Sequence, residues 1–299
     1  MVRALLAGQE KYLILDTGGA KSILDPEIAR ELGLQMGQFT SVERTPFSRG
    51  YTVQPSEVYT DVTGRQSSSF AIVDAFELGD RHFGPIEFVL SPTDNDLDNS
   101  SMPVGTLGAD FLIAYDVVFD FGTDEFQLYS PNNCDNSRQP GASADADSVT
   151  VPFSVNGSNH IRFPISLDGQ NLTAVLDTGA HNTILSLPAA QRLFSVDLNA
   201  PDVIRTGELA RQDMAGVYRR RFFVLRIESL SVTDPMIFLL PDLMAANAAP
   251  PWRVSIMDRT RDESAALPEF ILGMSVLSHY RLEIAYQRRE FYLIPVPGN

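Results

Sequence analysis

The chain has a single cysteine, Cys134, among its 299 residues, which excludes an internal disulfide and a cysteine-based metal centre. Its four histidines (His82, His160, His181 and His279) are scattered without ligand spacing, so no metal is expected. No apolar run approaches the roughly 18–20 residues that cross a bilayer, so this chain contributes no membrane segment. Lysine and arginine are outnumbered 23 to 38 by aspartate and glutamate, giving a net charge of −15, and no basic stripe is visible; nucleic acid is not an expected partner. The longest basic cluster, Arg219-Arg220-Arg221, lies between apolar residues and reads as the exposed face of a hairpin. No Gly-x-Ser-x-Gly elbow and no phosphate loop occurs. Hydrophobic residues at 44% and charged residues at 20% are nonetheless ordinary for globular domains, and the length suits two of them.

What is present is Asp-Thr-Gly, twice, each time closing an apolar run: Leu13-Ile14-Leu15-Asp16-Thr17-Gly18 and Ala174-Val175-Leu176-Asp177-Thr178-Gly179. One such tripeptide is expected on the order of once per several thousand positions. A single copy would be good turn chemistry and little more. Here the surroundings repeat as well. Gly8-Gln9 matches Gly169-Gln170, and Ser22-Ile23-Leu24 matches Thr183-Ile184-Leu185 at the same offset. A later block, Leu107-Gly108-Ala109-Asp110-Phe111-Leu112, matches Leu272-Gly273-Met274-Ser275-Val276-Leu277. A repeat this long means duplicated domains, since solenoid periods run about 20–50 residues. Two carboxyls brought face to face by such a duplication can share a proton and activate water without metal or histidine.

The polar stretch 132–148 cannot build a core and reads as a linker between modules 1–131 and 149–299; Cys134 sits in it as an incidental thiol. Both modules read as mostly β, with strands at Phe70–Phe76, Ile86–Leu90, Thr150–Val155, Ile161–Leu167 and Leu172–Leu176. Apolar alternation predicts hairpins at Val117–Phe121 with Glu125–Tyr129, and at Leu282–Tyr286 with Glu290–Ile294. A short helix follows each Asp-Thr-Gly. Asp25 caps the first, Pro26 takes its first position and Gly33 its C-terminal cap; Ser186 caps the second. A strand near Val149–Asn156 has no full counterpart ahead of Gly8. That asymmetry is consistent with a trimmed N-terminus, and a signal removed there would place the protein in the periplasm or outside the cell.

The paired blocks Ile14-Leu15-Asp16-Thr17-Gly18 with Thr106-Leu107-Gly108, and Val175-Leu176-Asp177-Thr178-Gly179 with Ile271-Leu272-Gly273, resemble the pepsin/retropepsin superfamily of aspartic proteases. The nearest likeness is to bacterial proteins with two retropepsin-like modules in one chain. The hallmark is apolar-apolar-Asp-Thr-Gly, followed much later by apolar-apolar-Gly in a ψ-shaped loop. The resemblance implies a mainly β fold of two pseudo-symmetric barrel-like lobes with short helices and a cleft between them. It implies an aspartic endopeptidase with Asp16 and Asp177 as catalytic residues. Thr17, Gly18, Thr178 and Gly179 would shape the two loops, and Leu107-Gly108 and Leu272-Gly273 would pack beneath them. The substrate would be a peptide or protein, and the molecule a monomer whose lobes pair within the chain, without cofactor or metal.

Two hairpin tips are flap candidates: Val62-Thr63-Gly64-Arg65 around Gly64, and Met214-Ala215-Gly216-Val217 around Gly216. Tyr59 and Tyr218 are weak matches to a flap tyrosine. His181, Asp110 and Asp120 lie near the matched blocks, but Ser275 and Ala285 replace the two aspartates in module two, so loop and capping roles are expected. Gly19 and Ala180 follow the triplets where pepsins carry Ser or Thr. Retropepsins, which work at milder pH, carry alanine there, so the resemblance implies a weakly acidic optimum. The alternative reading is a catalytically silent peptide-binding protein of the same fold.

Overall fold

The computed structural model describes residues 1–44, 51–55, 59–60, 66–91, 103–130, 140–141, 147–155, 157–208, 216–241 and 269–296. They are mainly β, with four short helices among the described residues. The chain divides into two compact units: Met1–Leu15 with Lys21–Gly108, and Asp16–Ala20 with Ala109–Asn299. The first Asp-Thr-Gly loop therefore belongs to the second unit, with the other copy.

The sequence repeat is a repeat of threading. In the first unit, Gln9–Leu15 runs parallel to Pro103–Leu107, with Leu15 opposite Leu107. Pro103–Leu107 pairs antiparallel with Ile23–Leu24, which in turn runs parallel to Ile86–Leu90. In the second unit, Gln170–Leu176 runs parallel to Phe270–Leu272, with Leu176 opposite Leu272. Phe270–Leu272 pairs antiparallel with Ile184–Ser186, which runs parallel to Met236–Leu240. Each unit thus closes the same ψ-shaped crossing.

Local chemistry explains the elements that lead into each crossing. Val2–Leu6 and Gln9–Leu15 form a hairpin whose two-residue loop, Ala7-Gly8, has both φ angles positive (50° and 78°). Asp168-Gly169 repeats this between Ile161–Leu167 and Gln170–Leu176 (46° and 82°). Such turns match the right-handed twist of the strands, and glycine occupies the position most open to left-handed backbone. Helix Pro26–Glu31 starts at Asp25, whose carboxylate accepts from the Glu27 N–H at 2.7 Å. Helix Leu187–Phe194 starts at Ser186, whose hydroxyl accepts from the Ala189 N–H at 3.3 Å.

Burial separates the faces. Leu6, Leu13, Leu24, Phe76, Phe88 and Leu107 are fully buried in the first unit, and Ile161, Phe163, Leu167, Phe270 and Leu272 in the second. Each such side chain contributes on the order of 1.5–3 kcal/mol. The expected strand Phe70–Phe76 is two strands, Ser69–Val73 and Phe76–Leu78. Val73 and Phe76 are both buried, and the chain bends at Asp74-Ala75 so that Phe76 lies opposite Leu6.

The two expected terminal hairpins join in one sheet within the second unit. Its order is Glu125–Tyr129, Asp116–Asp120, Tyr280–Ala285, Glu290–Pro295, Val149–Pro152. Val117 lies opposite Ile284 and Phe119 opposite Leu282, all buried. Glu283 is a buried carboxylate in this sheet, held by Arg281 at 2.8 Å and by the Gly141 N–H at 2.6 Å.

Candidate active site

The two Asp-Thr-Gly loops meet. The Asp16 carboxylate accepts from the Gly18 and Gly19 N–H groups at 3.0 and 2.7 Å. The Asp177 carboxylate accepts from Gly179 and Ala180, both at 2.8 Å. Each aspartate is therefore oriented by its own loop in the same way, and the two carboxyls are hydrogen-bonded to each other.

Thr17 and Thr178, both buried, lock the loops together. The N–H of each donates to the hydroxyl of the other at 3.1 Å, and the Thr17 hydroxyl donates to the Leu176 carbonyl at 2.9 Å. The glycines are required by close approach. A Cβ on Gly18 would stand 2.2 Å from the Asp177 carboxyl carbon, and one on Gly179 would stand 2.5 Å from that of Asp16. Gly19 is crowded as well, with a Cβ there 2.6 Å from Asp16 Oδ2.

The later blocks brace these loops. Leu107 and Leu272 are fully buried and sit opposite Leu15 and Leu176, the residues immediately before each aspartate. The Ala109 N–H donates to the Gly19 carbonyl at 2.7 Å, and Met274 does the same to Ala180 at 2.8 Å. The Gly108 N–H donates to the Ser22 hydroxyl at 3.0 Å, and the Gly273 N–H to the Thr183 hydroxyl at 3.2 Å. Ser22 and Thr183 are buried. They stand out in sequence only as matched positions of the repeat, and the role of a hydroxyl there becomes legible once the ψ-shaped crossing is known.

Electrostatically the pair is split. Burial, followed by the charge of Asp16, raises the Asp177 carboxyl from 3.8 to about 7. Burial also raises Asp16, but hydrogen bonds from Gly19, Asp177 and Gly18 and the charge of His160 oppose the rise. Asp16 is thus the partner that ionises first and Asp177 the one that keeps the proton. His160 is a neighbour that sequence spacing gave no reason to select. Half-buried ahead of strand Ile161–Leu167, its ring hydrogen-bonds the Gly18 backbone; burial lowers its pKa, and the Asp16 charge opposes that.

The other expected residues fall outside this cluster. His181 is exposed. Asp110 accepts from the Phe111 N–H at 3.0 Å at the start of helix Ala109–Leu112. Asp120 caps a turn through the N–H groups of Gly122 and Thr123 (3.1 and 3.2 Å) and pairs with Arg281 at 2.9 Å. Gly64 lies outside the described residues. Gly216 opens strand Gly216–Arg221, which forms an antiparallel hairpin with Val203–Glu208. Among the described residues no group of three or more His, Cys, Asp or Glu is arranged to hold a metal. No helix there is long and apolar enough to cross a membrane.

No protein-family model matches the chain. No curated protein is significantly similar to it in sequence. Among solved structures, it is similar to a retropepsin-like aspartic protease from Rickettsia conorii, at 16% identity over 49% of this chain and 89% of that one, with a TM-score of 0.34. It is also similar to Basic 7S globulin from soybean, at 8% identity over 96% of this chain and 88% of that one, with a TM-score of 0.45.

Proposed function

We propose that the chain is an aspartic-type endopeptidase in which Asp16 and Asp177 activate one water molecule. The observation that carries this reading is the meeting of the two loops, each aspartate carboxyl lying against the other loop's glycine, with the proton affinities of the two carboxyls pushed apart. As pH falls, Asp177 takes up its proton near 7, and until Asp16 is protonated in its turn Asp16 is the anion of the pair. Asp16 then takes a proton from water as the oxygen attacks the peptide carbonyl, and Asp177 donates a hydrogen bond to the carbonyl oxygen as negative charge develops on it. Collapse of the tetrahedral oxyanion re-forms the C=O bond and breaks the C–N bond, and the proton held by Asp16 passes to the leaving nitrogen while Asp177 keeps its own. Hydrogen bonds from Gly18, Gly19, Gly179 and Ala180 fix both carboxyls before substrate arrives, so little reorganisation is left for the reaction itself.

Both loops come from one chain and lock through Thr17 and Thr178, which supports a monomeric enzyme needing no cofactor. The substrate under this reading is a peptide or protein.

The experiment is cleavage of a fluorogenic peptide library by wild type, Asp16→Asn and Asp177→Asn, with a statine-type peptide as inhibitor and sedimentation to give the mass. Cleavage by wild type, its loss in both variants and inhibition by the tetrahedral mimic are expected. Peptide binding without cleavage by wild type would establish the silent binding protein instead.

A further inference from the structure

The sheet that carries Asp177 has one row of residues running across seven strands. Arg162 lies opposite Val175, Val175 opposite Ile271, and Ile271 opposite Ile184. Ile184 lies opposite Phe238, Phe238 opposite Arg219, and Arg219 opposite Ile204. Residues directly opposite share a face, and neighbouring residues along a strand take the other. The row behind it, Phe163, Ala174, Phe270, Leu185 and Leu239, is buried core. In the row in front, Val175 is buried, but beyond it the cover is partial: Ile271, Ile184, Phe238 and Arg219 are half-buried and Ile204 is 46% exposed. Alternation from Val175 through Leu176 brings Asp177 to the same face.

Arg219 is the anomaly in this row. Its chain neighbours Arg220 and Arg221 pair with Asp202 at 2.8 Å and Asp234 at 3.0 Å. Among the described residues no carboxylate lies within ion-pair distance of Arg219, and its Nε is buried without a hydrogen-bond acceptor. A buried guanidinium donor left unmet is costly, and an acceptor carrying negative charge is what satisfies it best. Four strand spacings of about 4.8 Å separate Arg219 from Val175, a span of roughly 19 Å that an extended peptide of about six residues covers.

We propose that Arg219 is a specificity-determining residue, selecting an acidic side chain on a peptide that lies across this row with its apolar side chains against Ile271, Ile184 and Phe238. The inference rests on the peptide-hydrolase reading of Asp16 and Asp177 and adds to it a charge preference several residues from the bond that is cut. The acidic side chain binds as a carboxylate accepting hydrogen bonds from the guanidinium, a geometry lysine matches less well.

The test is a set of fluorogenic decapeptides in which Glu, Gln or Lys is placed at each position in turn. They are assayed for kcat/KM with wild type and Arg219→Glu, and for binding by fluorescence anisotropy with Asp177→Asn in both backgrounds. At one outlying position wild type favours Glu over Gln by on the order of tenfold, and Lys is worst. Arg219→Glu reverses the order, so that Lys becomes best. Should Arg219→Glu fail to fold by circular dichroism, Arg219→Gln reads the same preference as a loss. Cleavage with no charge preference, unchanged in the folded variant, overturns the role of Arg219 and leaves the dyad standing. A Glu preference in binding that the variant reverses, with no cleavage by wild type, supports Arg219 and overturns the hydrolase. Absence of any charge preference in both assays overturns the inference.

Discussion

Thr17 and Thr178 each donate a backbone N–H to the hydroxyl of the other, at 3.1 Å in both directions. This reciprocal pair holds two aspartates that lie 161 residues apart in sequence within one hydrogen-bonded unit. Thr17→Val keeps the shape but removes the oxygen, leaving the Thr178 N–H and the Leu176 carbonyl without that partner. At about 1–3 kcal/mol for an unsatisfied buried group, a loss of about 2–4 kcal/mol in unfolding free energy is expected, together with a fall in kcat/KM. Thr17→Ser keeps the hydroxyl and is expected to lose less than half as much. Chemical denaturation of the two variants measures this; equal losses would mean that packing of the methyl group, not the hydrogen bonds, matters.

Under the proposed mechanism the two carboxyls act as a unit, so their variants are expected to be non-additive. Asp16→Asn and Asp177→Asn are each expected to lower kcat by at least about a thousandfold, and the double variant to be little worse than either single one. Full additivity in kcat would mean that the two carboxyls contribute independently, contrary to the mechanism proposed.

The same carboxyls make stability depend on pH. In the folded chain Asp177 holds its proton up to about 7, whereas its ordinary value is 3.8. Between those values the folded state keeps a proton that the unfolded state has released, so the contribution of Asp177 is full below about pH 4 and lost as pH rises through about 7. Asp16 is raised too and acts in the same direction. Asp177→Asn cannot ionise. Its stability relative to wild type is therefore expected to improve steadily from pH 4 to pH 8, as read by Tm at each pH. A constant difference across that range would show that the folded dyad does not hold the extra proton.

The glycine after the first triplet changes what a serine can test. A serine hydroxyl beside an ionised carboxylate stabilises it. At Gly19, however, a Cβ stands 2.6 Å from Asp16 Oδ2, so Gly19→Ser displaces the carboxylate and is expected to lower kcat/KM at every pH. Ala180 already carries a Cβ and its N–H holds Asp177, so Ala180→Ser is the clean probe. It stabilises ionised Asp177 and is expected to move the basic limb of the kcat/KM profile to lower pH, with the acid limb nearly in place. A shift of the acid limb alone would reverse the assignment of the two protonation states.

What could be read from sequence was local. The Asp-Thr-Gly loops, the Asp25 and Ser186 caps and the hairpin turns at Gly8 and Gly169 each depend on a few neighbouring residues. The pairing of Val117 with Ile284 is not legible there, because two apolar hairpins do not by themselves specify which edges meet. Arg219-Arg220-Arg221 read as one exposed patch, whereas strand alternation divides it between two faces and leaves Arg219 half-buried. His160 has no ligand spacing to another histidine in the sequence; its place beside Asp16 comes from the meeting of distant segments.

That place gives a last prediction. His160 hydrogen-bonds the Gly18 backbone and lies close enough to Asp16 for their charges to interact. Burial holds its pKa below 6.5, with the Asp16 charge resisting, so the imidazole gains its proton only on the acid side. Once protonated, it favours the ionised form of Asp16, which the mechanism needs as the base. His160→Gln removes that positive charge while keeping a polar side chain near Gly18. The acid limb of kcat/KM is then expected to move to higher pH, because Asp16 protonates more readily, and the basic limb, set by Asp177, to stay. His160→Phe removes the hydrogen bond as well and is expected to add a drop in kcat at the optimum. A structural role alone would lower kcat in both variants without moving either limb. An acid limb that coincides with wild type in His160→Gln would therefore show that His160 supports the loop and does not tune the charge on Asp16.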